Sequence, residues 1–99
     1  MMSKYIPTIP IRDLTEVTFC EINDYDKSLY MDVYNLVTII DKLKRASKRG
    51  NNEKTKYKIT FVTNNGLMKV NTTIWMVGDE YVLLKENLYM PITSIIDVV

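Results

Sequence analysis

The sequence predicts an α+β domain: one amphipathic helix packed on a small, strongly bent five-stranded antiparallel sheet or barrel, with an extra N-terminal strand segment. Three observations predict it. Apolar spacing changes from helical to alternating near residue 50. Turn residues then recur at short intervals, at Asn64-Asn65-Gly66 and Gly78-Asp79-Glu80. The run between these turns, Leu67 to Val77, alternates over 11 residues and cannot stay flat in so small a domain. A chain of 99 residues fits a single domain over 1–99.

The elements follow in order. Pro7 and Pro10 fix φ and remove donors, so Tyr5 to Ile11 reads as an extended edge segment. Glu16 to Ile22 alternates, with Val17, Phe19 and Glu21 on one side and Thr18, Cys20 and Ile22 on the other. This predicts a strand and makes 1–24 an extended N-terminal segment. Asn23-Asp24-Tyr25-Asp26 offers short side chains that accept the first backbone N–H groups of a helix. The helix is expected over 26–48, with Leu29, Val33, Leu36, Val37, Ile40 and Leu43 as its apolar stripe and Gly50 as its C′ residue. A meander over 56–99 follows. Its strands are Lys56 to Thr63, with Tyr57, Ile59 and Phe61 on one face, then Leu67 to Val77, Tyr81 to Lys85, Leu88 to Ile92 and Ile95 to Val99.

The helix and the segment Lys58 to Val99 resemble the Sm-like fold, in particular its bacterial Hfq branch. The likeness rests on the hairpin closing at Gly66, the run Val77-Gly78-Asp79-Glu80-Tyr81-Val82-Leu83-Leu84-Lys85 and the short last strand. It implies a ring-forming barrel in which the fourth and fifth strands of neighbouring subunits pair and RNA binds around the pore. The chain departs from the family in two places. Asn71-Thr72-Thr73 stands where the second strand usually has a glycine. The lysine–histidine pair before the last strand has no counterpart, because the chain has no histidine and Pro91-Ile92 occupies that region. The family's RNA-binding residues are therefore not carried over.

Net charge is +1, but it is segregated: −4 over residues 1–41, +7 over 42–58 and −2 over 59–99. Lys44, Arg45, Lys48, Arg49, Lys54, Lys56 and Lys58 are candidate nucleic-acid contacts, since clustered cations attract phosphates. The plainer reading is that they compensate a helix dipole and guard an edge strand. Trp75, sharing a strand face with Lys69, Asn71 and Thr73, could stack a base, anchor a protein or cap the core. Tyr89, Met90, Ile92, Ile95, Ile96 and Val98 are candidate oligomer contacts: so apolar an edge must be covered, either by closing the barrel internally or, the favoured reading, by pairing with another subunit.

Catalysis is weakly supported. Without histidine, Ser-His and Cys-His nucleophile pairs are excluded. Cys20 reads as a structural thiol, and Asp13, Glu16, Glu21, Asp24 and Asp26 as caps and solvated surface. Gly50, Gly66 and Gly78 are isolated turn residues and form no phosphate loop. No catalytic residue, cofactor or metal is expected. The single cysteine, and the lack of a signal-like or membrane-spanning apolar run, predict a cytoplasmic protein. The Lys-, Asn- and Ile-rich composition suggests an AT-rich bacterial or phage genome. Two partner classes remain open. One is RNA or single-stranded DNA, bound by a homo-oligomer. The other is a host protein, met by an interaction or inhibitor module of phage or mobile-element origin.

Overall fold

A computed structural model describes residues 6–21 and 36–99. The expected cap at Asn23-Asp24-Tyr25-Asp26 and the first part of the expected helix, with Leu29 and Val33, lie outside these residues.

Two prolines leave little room for a ladder, and β1 is only Thr8–Ile9. It lies parallel beside Lys69 and Val70, at a sheet edge. The Lys69 N–H donates to the Pro7 carbonyl at 2.8 Å. The strand expected over Glu16 to Ile22 is not formed as such. The chain first winds into a 3₁₀ helix, Ile11–Glu16, whose Asp13 N–H donates to the Pro10 carbonyl at 2.9 Å. Leu14 anchors that helix in the core. Among the described residues of this stretch only Phe19 pairs, in an isolated antiparallel bridge to Thr63. Its ring lies 5.7 Å from that of Phe61.

The helix α1 is Leu36–Glu53 and so runs past the expected end at residue 48. Gly50 is helical, and Lys54, at φ 55°, takes the left-handed conformation that ends the helix. The buried positions are Ile39, Leu43 and Ala46, an i, i+4, i+7 set. Val37, assigned to the stripe by the sequence, is 77% exposed.

β2 is Tyr57–Thr63 and β3 is Gly66–Thr72, antiparallel from Tyr57↔Thr72 to Thr63↔Gly66. Positive φ in their turn falls on Gly66 alone (104°), so the turn is not the type that needs it at both central residues. Thr63 Oγ1 ties the turn, accepting from the Asn65 N–H at 3.1 Å and donating to the Gly66 carbonyl at 2.8 Å.

The long second strand bends, as its length requires, and the bend divides it. β3 leaves its sheet at Thr73 and the chain continues as β4, Ile74–Val77, in a second sheet. The Lys85 N–H donates to the Thr73 carbonyl at 3.2 Å and fixes this corner. β5 (Tyr81–Leu84) and β6 (Leu88–Pro91) complete the second sheet. One 3₁₀ turn, Ile92–Ser94, precedes β7, Ile95–Val98.

The expected single five-stranded antiparallel sheet is thus replaced by two sheets, ordered β1-β3-β2-β7 and β4-β5-β6. The first is mixed, because β1 is parallel to β3. Neither closes into a barrel, and among the described residues no ladder joins β6 to β7.

The main core lies between the sheets and under α1, with Ile59, Phe61, Val70, Val82, Leu84 and Ile95 fully buried. A smaller cluster of Val62, Leu67 and Ile96 is covered by Ile6 and Cys20. β2 is buried on both faces for this reason, which is why Thr60 to Thr63 show no exposed alternation. Among the described residues no helix is long and apolar enough to cross a membrane.

Candidate nucleic-acid interface

The basic segment occupies the end of the molecule where α1 passes into β2. All seven predicted cations are exposed. Lys44 and Lys48 lie on the outer ridge of α1, four residues and one turn apart. Arg45 and Arg49 lie toward β7. With Lys42 they face Tyr57, Val98 and Val99 across a groove of about 240 Å³. Lys54 and Lys56 sit in the connection that follows. Lys58 alternates with Tyr57 and therefore presents from the other face of the sheet. There it lies diagonal to Lys69, which stands opposite Thr60. The structure thus brings Arg45 and Arg49 into one groove, while Lys44 and Lys48 lie on one flank of that end and Lys58 on the other.

Few of these charges are neutralised. Lys42 Nζ donates to Asp97 Oδ1 at 2.9 Å, and the same oxygen accepts the Val98 N–H at 2.9 Å. This braces the last strand against α1. Arg45 meets Asp41 at 3.0 Å across one helical turn. Both partners are largely exposed, so the pair contributes less than about 1 kcal/mol and a phosphate can take Arg45 from it. Lys44, Lys48, Arg49, Lys54, Lys56 and Lys58 carry no ion pair among the described residues. α1 ends at Glu53 with no cation in its last turn, and β2 lies inside its sheet, so dipole compensation and edge protection explain little of the basic segment.

Trp75 sits on β4, the strand against which α1 packs. It is half-buried at the irregularity between Ile74 and Met76, and its carbonyl accepts from Ser47 Oγ of α1 at 3.1 Å. Thr73, expected on its exposed face, is buried at the sheet corner.

The oligomer contacts read from the sequence fall differently. Met90, Ile92, Ile95, Ile96 and Val98 are buried in the chain's own clusters, and β7 pairs with β2 of the same chain. Of that set only Tyr89 presents its side chain to solvent. Internal pairing satisfies one edge of the last strand, which the edge argument had assigned to a neighbour.

Cys20 is half-buried on the smaller cluster, where its carbonyl accepts from Ser94 Oγ at 2.6 Å. Asp13 meets Arg12 at 4.0 Å, Glu16 and Glu21 are exposed, and Asp24 and Asp26 lie outside the described residues. Among the described residues no group of three His, Cys, Asp or Glu side chains could hold a metal ion.

Sequence reasoning missed Lys42 and Tyr57 as groove residues. The 42, 45, 49 spacing, one face of a helix, was the available signal for Lys42. Nothing local pointed to Tyr57, which joins the groove only through the packing of α1 beside β7. Compared with known protein families, curated proteins and solved structures, the chain matches none.

Proposed function

We propose that the chain is a cytoplasmic, non-enzymatic binding module that holds single-stranded RNA or DNA at its cationic end. The observation that carries this reading is the set of six exposed cations that have no ion pair among the described residues, gathered where α1 passes into β2. The groove beside them offers Arg45 and Arg49 for phosphates and the Tyr57 ring for a base. The bend that carries the second strand from one sheet into the other supports reading 56–99 as a distant, open relative of the Sm-like fold. The outer edges of β6 and β7, at the ends of their sheets, support assembly into a homo-oligomer by strand pairing.

Fluorescence anisotropy with labelled single-stranded RNA and DNA tests the reading. Binding at low salt should weaken steeply as salt rises, with a log–log slope of about −0.7 per phosphate contact. Arg49→Ala with Lys56→Ala should flatten the slope by about 1.4 and weaken all sequences alike. No binding at low salt would overturn it.

A further inference from the structure

We propose that the outer face of the β4-β5-β6 sheet is a contact surface for a second copy of this chain, engaged through the exposed ridge of that copy's α1. This goes beyond nucleic-acid binding: the sheet face is separate from the cationic end, while the ridge shares Lys44 and Lys48 with it.

The strand register builds the surface. Met76 stands opposite Leu83, and Leu83 opposite Tyr89, so these three side chains form one row across all three strands. Tyr81 lies two residues from Leu83 and shares its face. The alternate residues Val82, Leu84 and Met90 are buried in the core, so the row faces away from it. Met76, Tyr81 and Tyr89 are 54%, 51% and 58% exposed. Three large apolar side chains converging on one sheet face mark an interaction surface, whereas scattered ones do not. Tyr81 and Tyr89 meet edge-to-face at 6.4 Å, which partly orders them before any partner arrives.

Charge selects the occupant. Two shallow hollows meet at Tyr81. One, of about 220 Å³, runs over Met76, Leu83 and Tyr89. The other, of about 390 Å³, reaches Ile40 and Glu21. Every charged residue lining either is acidic: Glu21, Asp79 and Glu80. A complementary surface presents an apolar side chain flanked by cations. The outer ridge of α1 is such a surface. Val37 is 77% exposed there, with Lys44 two turns and Lys48 three turns along the same side. The one acid on that ridge, Asp41, is already held by Arg45. Because the two surfaces differ, the contact is heterologous, and assemblies grow into a ring where the rotation closes and into an open filament where it does not.

Sedimentation velocity on the full chain tests this. The wild-type protein should associate with rising concentration at low salt and shift toward monomer at about 0.5 M salt. Asp79→Lys with Glu80→Lys, and separately Lys44→Glu with Lys48→Glu, should each weaken association at least about tenfold. All four positions are exposed, and circular dichroism checks that each variant folds. Mixing the two charge-reversed proteins should restore association, because each then offers the other a complementary face. Tyr89→Ala should weaken wild-type association without changing its salt dependence. A wild-type protein that stays monomeric overturns the proposal. So do charge-reversed variants that associate like wild type, or a mixture that stays monomeric.

Discussion

Glu86 and Asn87 hold positive φ, 65° and 61°, in the turn between β5 and β6. Two successive left-handed residues match the twist of a tight hairpin, but only the asparagine suits that conformation. Lys54 holds φ 55° directly after α1. A left-handed conformation costs an ordinary residue about 1–2 kcal/mol, part of which glycine returns in unfolded-chain entropy. Glu86→Gly should therefore raise stability by about 1 kcal/mol in chemical denaturation. Lys54→Gly should raise it by about 0.5–1 kcal/mol while loosening nucleic-acid binding, since it also removes a cation. Opposite movement of the two readouts would separate a binding lysine from a merely structural one. Gly66 was legible in the sequence because Asn-Gly announces its own turn. Lys54 and Glu86 were not, because nothing about a lysine or glutamate signals positive φ. Gly50 suggested a helix end, whereas α1 continues to Glu53.

At the scale of elements, α1 was legible as a helix and its stripe in part: Leu43 is buried and Ile40 packs on the core, while Val37 falls outside. Leu36, Val37, Ile39, Ile40 and Leu43 crowd one end with apolar residues, and several stripes can be drawn through them. The structure chooses Ile39, Leu43 and Ala46, leaving Val37 outside. Alanine gives little signal in a periodicity count, yet it lets the helix approach closely. Leu43→Ala should cost about 2–5 kcal/mol of unfolding free energy. Val37→Lys should change it by no more than about 0.5 kcal/mol. Equal losses would return the stripe to its sequence phase. The second strand shows the same limit. Its length required a bend, but the corner falls at Thr73 without a glycine, held by the Lys85 N–H, a partner twelve residues away. The alternation over Glu16 to Ile22 misled because Pro10 starts a 3₁₀ turn and Leu14 locks it into the core.

At the scale of the molecule, charge segregation along the chain becomes segregation in space. The cations of 44–58 surround one end, and Asp79 and Glu80 border the aromatic face of the second sheet. The exposure of the lysines and arginines was legible, since such side chains are rarely buried. The groove was not, because Tyr57 and Val98 join Arg45 and Arg49 only through the packing of α1 beside β7. The burial of Met90, Ile92, Ile95, Ile96 and Val98 also depends on the fold. A terminal apolar strand looks the same in sequence whether it completes its own sheet or a neighbour's.

A nucleic acid held at the cationic end must touch residues 44–58. The most direct measurement is an amide NMR titration of the isotope-labelled chain with a short single-stranded RNA at low salt. The shifts should concentrate at residues 44–58 and at Val98 and Val99, and fade as salt is added. Shifts confined to Met76, Tyr81, Leu83 and Tyr89, or no shifts at all, would contradict it.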